Sequence, residues 1–80
     1  MKNKITVLAF STAKQVMGFS QQMVECRPDD TAESLINRLV PQARQRCGSA
    51  RVALDEEFAE WSDPVAGHQE LAIIPPVSGG

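Results

Sequence analysis

The sequence predicts an α+β domain in which one sheet is covered on one face by a single main helix. Three observations carry that prediction. Residues of strand character, alternating in their facing, open the chain (Lys4 to Phe10) and close it ("ELAIIP"). One long stretch of helical periodicity, "PDDTAESLINRLV", lies between them. The 80 residues suffice for one domain with a small core, and strands grouped around a lone helix argue for α+β rather than an alternating parallel fold.

The elements follow in order. In the first strand Ile5, Val7 and Ala9 point one way and Thr6, Leu8 and Phe10 the other. A loop is expected over "STAKQVMGFS", turning at Gly18, before a second strand from Ser20 to Arg27 that Pro28 closes. Asp30 and Glu33 have capping-box spacing, with Thr31 as a rival N-cap. Ala32, Leu35, Ile36, Leu39, Val40 and Ala43 form the helix stripe, while Asn37, Arg38 and Gln42 fall elsewhere on the wheel. Pro41 ends the helix near Val40 or restarts it in a new first turn, which Gly48 stops. "ARVALDEEFAEW" reads as two short strands around an acidic turn, and Asp63-Pro64 and Gly67 mark loops before the last strand.

Composition narrows the function. Hydrophobic residues make up 42% of the chain, which excludes a disordered protein. The net charge is -2 without a basic run, so nucleic acid and anionic membrane surfaces are not expected partners. No apolar run approaches a membrane span of about 18 residues. The start, "MKNKITVLAFSTAK", faintly echoes a signal peptide, but Thr6, Ser11 and Thr12 break it and its residues alternate as a strand's do. The expectation is a cytoplasmic protein with Cys26 and Cys47 as reduced thiols, one disulfide being the alternative.

One helix covers only one face of a sheet. If Ile5, Val7, Leu71 and Ile73 face the helix, then Leu8, Phe10 and Ile74 face away, and Phe58 joins them from the neighbouring hairpin. That arrangement leaves an apolar patch, which monomers rarely expose unless it binds something. The competing reading is that loops such as 11–19 cover it.

The sequence closes on "IIPPVSGG". Two glycines at two chosen positions arise by chance in about one chain in two hundred. A frayed end or an artefact is the bland reading, yet "PPV" directly after a buried strand fits neither. Pro75, Pro76 and Val77 favour an extended arm with little entropy to lose on docking. Gly79 and Gly80, lacking side chains, suit a narrow channel. The reactive group at that tip is the α-carboxylate of Gly80. It becomes an electrophile only after conversion to an acyl-adenylate with ATP, and the chain has no phosphate-cradling loop of its own. Activation therefore falls to another protein.

On "KITVLAFSTAKQVMG" and "ELAIIPPVSGG", and across nearly its whole length, the chain resembles the small subunits of molybdopterin synthases. These are ubiquitin-like β-grasp sulfur carriers with a mixed sheet and a flexible diglycine tail. The resemblance implies a β-grasp domain over residues 1–74 and an extended arm over 75–80. It implies that Gly80 is adenylated by an enzyme related to ubiquitin-activating enzymes and then becomes a thiocarboxylate, with Gly79 giving clearance. Pro75, Pro76, Val77 and Ser78 would thread into a large synthase subunit, in a heterotetramer, and deliver sulfur to precursor Z. Phe10, Phe58 and Ile74 match the family's docking surface, and Lys14 a basic position near the first loop. No tightly bound cofactor or metal is implied, and the chain is not a catalyst alone. The sequence departs from the family in "AGHQE", where an Asp-Gly turn is common, in Ile73 and Ile74, where aromatics are common, and in a short segment with Pro41 after the helix. Rival readings are a sulfur carrier for thiamin, an amino acid or tRNA thiolation, a β-grasp interaction domain with an inert tail, and a protein modifier conjugated to lysines.

Other residues read more simply. His68 is a turn residue with no triad around it. Asp55, Glu56 and Glu57 form a solvated acidic turn rather than a metal site. Trp61 is expected as a partly buried anchor on a strand, and Met17 and Met23 as gap fillers in the core.

Overall fold

The computed structural model describes residues 3–76. Strand β1 (Asn3–Ala9) buries Ile5, Val7 and Ala9 and leaves Thr6 and Leu8 half-buried, the alternation the sequence predicts. Helix α1 (Thr12–Met17) follows, then strand β2 (Gln21–Cys26), which pairs antiparallel with β1 and sets Val24 opposite Ile5. Helices α2 (Ala32–Leu39) and α3 (Ala43–Arg46) lead to strands β3 (Arg51–Leu54) and β4 (Glu57–Ala59) and finally β5 (Glu70–Ile74). The sheet order is β2-β1-β5-β3-β4. The first and last strands lie side by side and parallel at its centre, with Val7 opposite Leu71 and Ala9 opposite Ile73. Parallel neighbours need a long crossover, and the whole intervening chain supplies it.

One face of this sheet carries the core. Ile5, Val7, Val52, Leu71 and Ile73 meet Leu35 and Ile36 of α2, all at 1% exposure or less. Each such side chain contributes roughly 1.5–3 kcal/mol by leaving water.

The region the sequence assigns to a loop, 11–19, contains α1. Six residues are too short to show a helical period, but Ala13 and Met17, four apart, both reach the core. Gly18 keeps its expected turn role, closing the helix at φ 83 with its N–H donated to the Lys14 carbonyl.

At α2 the rival N-cap prevails. Thr31 Oγ1 accepts the Ser34 N–H at 3.1 Å and Ser34 Oγ accepts the Thr31 N–H at 2.8 Å. Asp30 is buried and committed elsewhere. Its carboxylate accepts from Arg38 at 2.8 and 2.6 Å, from the Arg27 N–H at 2.7 Å and from the Ser34 hydroxyl at 2.8 Å. The bidentate Arg38 contact foremost, with the Arg27 and Ser34 bonds, outweighs burial and holds the Asp30 carboxyl far below its usual range. The chain leaves α2 at Leu39, Pro41 lies in the junction, and Gln42 in the left-handed region (φ 61) admits α3.

Two further expectations change. Trp61 lies beyond the end of β4, in a turn, where its Nε1 donates to the Ala50 carbonyl at 3.1 Å. Met23 is 62% exposed and fills no core gap, because its register opposite Thr6 puts it on the uncovered face. Met17 does pack in the core.

Candidate docking face and carboxyl-terminal arm

The parallel register builds the candidate site. Because Ala9 is opposite Ile73, the chain following β1 reaches Phe10 where β5 reaches Ile74, and the Phe10 N–H donates to the Ile73 carbonyl at 3.3 Å. From the other side β3 pairs antiparallel with β5, setting Arg51 opposite Ile74 and Ala53 opposite Ala72. The β3–β4 hairpin then sets Phe58 opposite Ala53. The two-residue turn that fixes this register has Asp55 (φ 51) and Glu56 (φ 71) both left-handed, the backbone that a tight hairpin requires.

The outward side chains form a groove of about 300 Å³ lined by Leu8, Phe10, Ala53, Phe58, Ala72 and Ile74, with Glu56 and Glu70 also on its lining. Ala53 and Ala72 make a low floor between larger residues. Phe10 is 49% and Phe58 61% exposed, values high enough to make this an open apolar surface rather than a core. The loop expected over residues 11–19 does not cover it, since α1 sends Ala13 and Met17 to the opposite face.

Pro75 and Pro76 leave β5 directly from this groove, Pro75 half-buried and Pro76 exposed. Val77, Ser78, Gly79 and Gly80 lie outside the described residues. Lys14 stands exposed on α1, the helix that begins just after Phe10. The structure thus brings together Phe10, Phe58 and Ile74, with Pro75 next along the chain, whereas Lys14, on α1, is not among the groove's lining residues.

Reasoning from the sequence missed five contributors: the floor residues Ala53 and Ala72, the acidic Glu56 and Glu70, and Arg51, whose guanidinium lies 4.1 Å from the Phe58 ring centroid. The signal for them is the pairing register, which a single sequence does not print. The acidic turn is a fastening. Asp55 accepts the Gln69 and Glu70 N–H groups at 3.0 Å each, and its Oδ2 stands 2.9 Å from His68 Nδ1. The Gln69 N–H, then the His68 ring and the Glu70 N–H, hold the Asp55 carboxyl below its usual value. Among the described residues no group of three His, Cys, Asp or Glu side chains is placed to hold a metal ion. Cys26 and Cys47 are both free thiols, and burial pushes the Cys47 thiol up, away from reactivity. Among the described residues no helix is long and apolar enough to cross a membrane.

A five-stranded mixed sheet with its terminal strands parallel at the centre and its helices on one face is a ubiquitin-like β-grasp fold. Solved structures agree. SAMP1 from Haloferax volcanii superposes with a TM-score of 0.76 at 24% identity, covering 98% of this chain and 100% of that one. A second crystal structure, of H. volcanii small archaeal modifier protein 1, gives 0.73 at 21% identity over 92% and 98% of the two chains. A putative molybdopterin converting factor, subunit 1, from Pyrococcus furiosus gives 0.69 at 15% identity, again over 92% and 98%. At these identities the likeness concerns the fold.

The sequence comparison is more specific. The ThiS family model matches residues 7–80. The molybdopterin synthase sulfur carrier subunit of Arabidopsis thaliana is 32% identical over 96% of this chain and 83% of its own length. The protein of the same name from Dictyostelium discoideum is 30% identical over 100% of both. The chain belongs to the ThiS family.

Proposed function

We propose that this chain is a sulfur carrier, the small subunit of a molybdopterin synthase, loaded at the carboxyl group of Gly80. The observation that carries this reading is the placement of an uncovered apolar groove at the root of the "PPVSGG" segment. A partner that grips Phe10, Phe58 and Ile74 also receives the arm, because Pro75 follows Ile74 directly. Membership of the ThiS family and the names of the relatives support the same assignment.

The chemistry is that of an activated carboxylate. An adenylating partner joins the Gly80 carboxylate to the AMP portion of ATP and releases pyrophosphate. Hydrosulfide released by a sulfur donor then displaces AMP at the acyl carbon and, on losing its proton, leaves a thiocarboxylate. Inside the large synthase subunit that sulfur attacks precursor Z, and the carbonyl carbon is returned to a carboxylate by water. Each cycle exchanges one oxygen for one sulfur at a single carbon. The glycines fit because an acyl carbon without neighbouring side chains can enter two different narrow sites in turn. Pro75 and Pro76 limit the entropy lost at each entry. The carrier acts in the cytoplasm, in a heterotetramer of two small and two large subunits. Lys14 stands ready to pair with an acidic group of a partner.

Intact-mass measurement tests the assignment. Incubation with ATP, the adenylating enzyme and a sulfur donor should add the difference between a sulfur and an oxygen atom, and deleting Gly80 should abolish that gain with no change in unfolding temperature. An unchanged mass for the intact chain would make it an inert β-grasp domain. Adducts on lysines of other proteins would make it a modifier. Loading without molybdopterin formation on the large subunit would move it to another sulfur pathway.

A further inference from the structure

The apolar groove has two electrically different ends. At the end from which the arm leaves, Arg51 is opposite Ile74 and lies over the exposed Phe58 ring at 4.1 Å. At the other end stand Glu56 and Glu70, beside the Asp55 turn. Ile74 and Glu70 are four residues apart on one strand, which separates the two ends by roughly 13 Å. The two ends differ in sign, with a cation carried beside Ile74 and the carboxylates of Glu56 and Glu70 at the other end.

Arg51 is also uncommitted. Arg38, by contrast, is closed on the Asp30 carboxylate by a bidentate contact. Arg51 has no carboxylate at ion-pair distance among the described residues. Stacking occupies the face of a guanidinium and leaves its in-plane N–H donors free, so the Phe58 ring holds this fork in place without satisfying it. A docked partner that buried Phe58 would bury those donors too. Leaving a charged donor set buried and unpaired is costly, so an anionic acceptor has to arrive with the partner.

We propose that Arg51 is a specificity-determining residue of the docking face, and that the catalytic partner seated on the groove presents a carboxylate to Arg51 at the arm end and a basic side chain to Glu56 and Glu70 at the other. The proposal rests on the reading that this groove is where the partner docks. Polarity of this kind fixes which way round a partner sits, and with it the direction in which the arm is offered. Phe10, Phe58 and Ile74 supply contact area that any apolar pocket would accept, whereas the two charged ends reject a pocket with the same signs.

The experiment is a binding isotherm of the full chain with the large molybdopterin synthase subunit from the same genome, at low and at high salt. Arg51→Glu should weaken binding at least about tenfold at low salt, since it replaces an attraction by a repulsion. Arg51→Leu should weaken it less and flatten the salt dependence. Glu56→Lys combined with Glu70→Lys should weaken it in the same way from the opposite end. Circular dichroism checks that each variant is folded, and Phe58→Ala serves as the reference. If Phe58→Ala loses binding while Arg51→Glu binds like the wild type, the groove is the docking face but its polarity carries no specificity, and the proposal is overturned alone. If Phe58→Ala also binds like the wild type, or the wild type does not bind, the docking reading falls and takes the proposal with it.

Discussion

The same strands make both faces of the sheet, and the two faces meet opposite fates. On one, Ile5, Val7, Leu71 and Ile73 disappear beneath α1 and α2. On the other, Leu8, Phe10 and Ile74 alternate with them residue for residue and meet no covering element among the described residues. Side-chain chemistry hardly differs between the two sets. What differs is that 80 residues provide helices for only one side. The covered face does the work of folding. The open face keeps apolar area in water, and the proposed docking would remove it.

Substitutions on the two faces should therefore separate stability from binding. The largest stability effect belongs to the covered face. Leu71→Ala leaves a cavity between β5 and α2 and should cost about 3 kcal/mol, within a usual range of roughly 2–5. In a domain this small that lowers the melting temperature by at least about 10 °C, readable by differential scanning calorimetry.

The buried ion pair at the start of α2 comes next. Asp30→Asn should cost roughly 2–4 kcal/mol near neutral pH, discounted from a fully buried pair because the Arg38 side chain is 30% exposed. Its pH dependence has a definite sign. The folded-state pKa of Asp30 is depressed, so its stabilisation is complete above the ordinary carboxylate value of about 3.8 and is lost as pH falls from there towards the folded value. Urea titrations of wild type and variant should therefore converge below about pH 4. A difference that instead widened on acidification would show that Asp30 does not act through its charge.

The smallest stability effect is on the open face. Phe58→Ala forfeits little burial and one exposed cation–π contact with Arg51, together about 1 kcal/mol or less. The same change should weaken partner binding by about 2 kcal/mol, near thirtyfold, as an aromatic anchor does. A melting temperature that fell as far as that of Leu71→Ala, with binding intact, would erase the distinction between the faces.

Much of this division was legible in the residues. Period-2 alternation sorts Ile5, Val7, Leu71 and Ile73 from Leu8, Phe10 and Ile74 correctly, because a strand's facing is set by backbone geometry alone. The stripe on α2 is legible for the same reason at a period of 3.6. Helix α1 was not, since six residues hold less than two turns and its formation depends on Ala13 and Met17 finding the core. The N-cap of α2 was ambiguous between two adjacent residues with suitable side chains. Only the packing of Arg38 against Asp30 removes Asp30 from the competition. The place of Met23 is not legible, because an apolar residue in an edge strand carries no local mark of which face is covered.

The sequence by itself determined the order of the strands and the main helix and the apolar alternation, for these rest on the chain's own torsions and spacing. Tertiary structure alone decided that Phe10, Phe58, Ala53, Ala72 and Ile74 form one groove where β5 ends, and that Arg51 and Glu70 stand toward its opposite ends. Those residues come from four different strands or their ends, and only the pairing register between strands brings them within reach of a single partner.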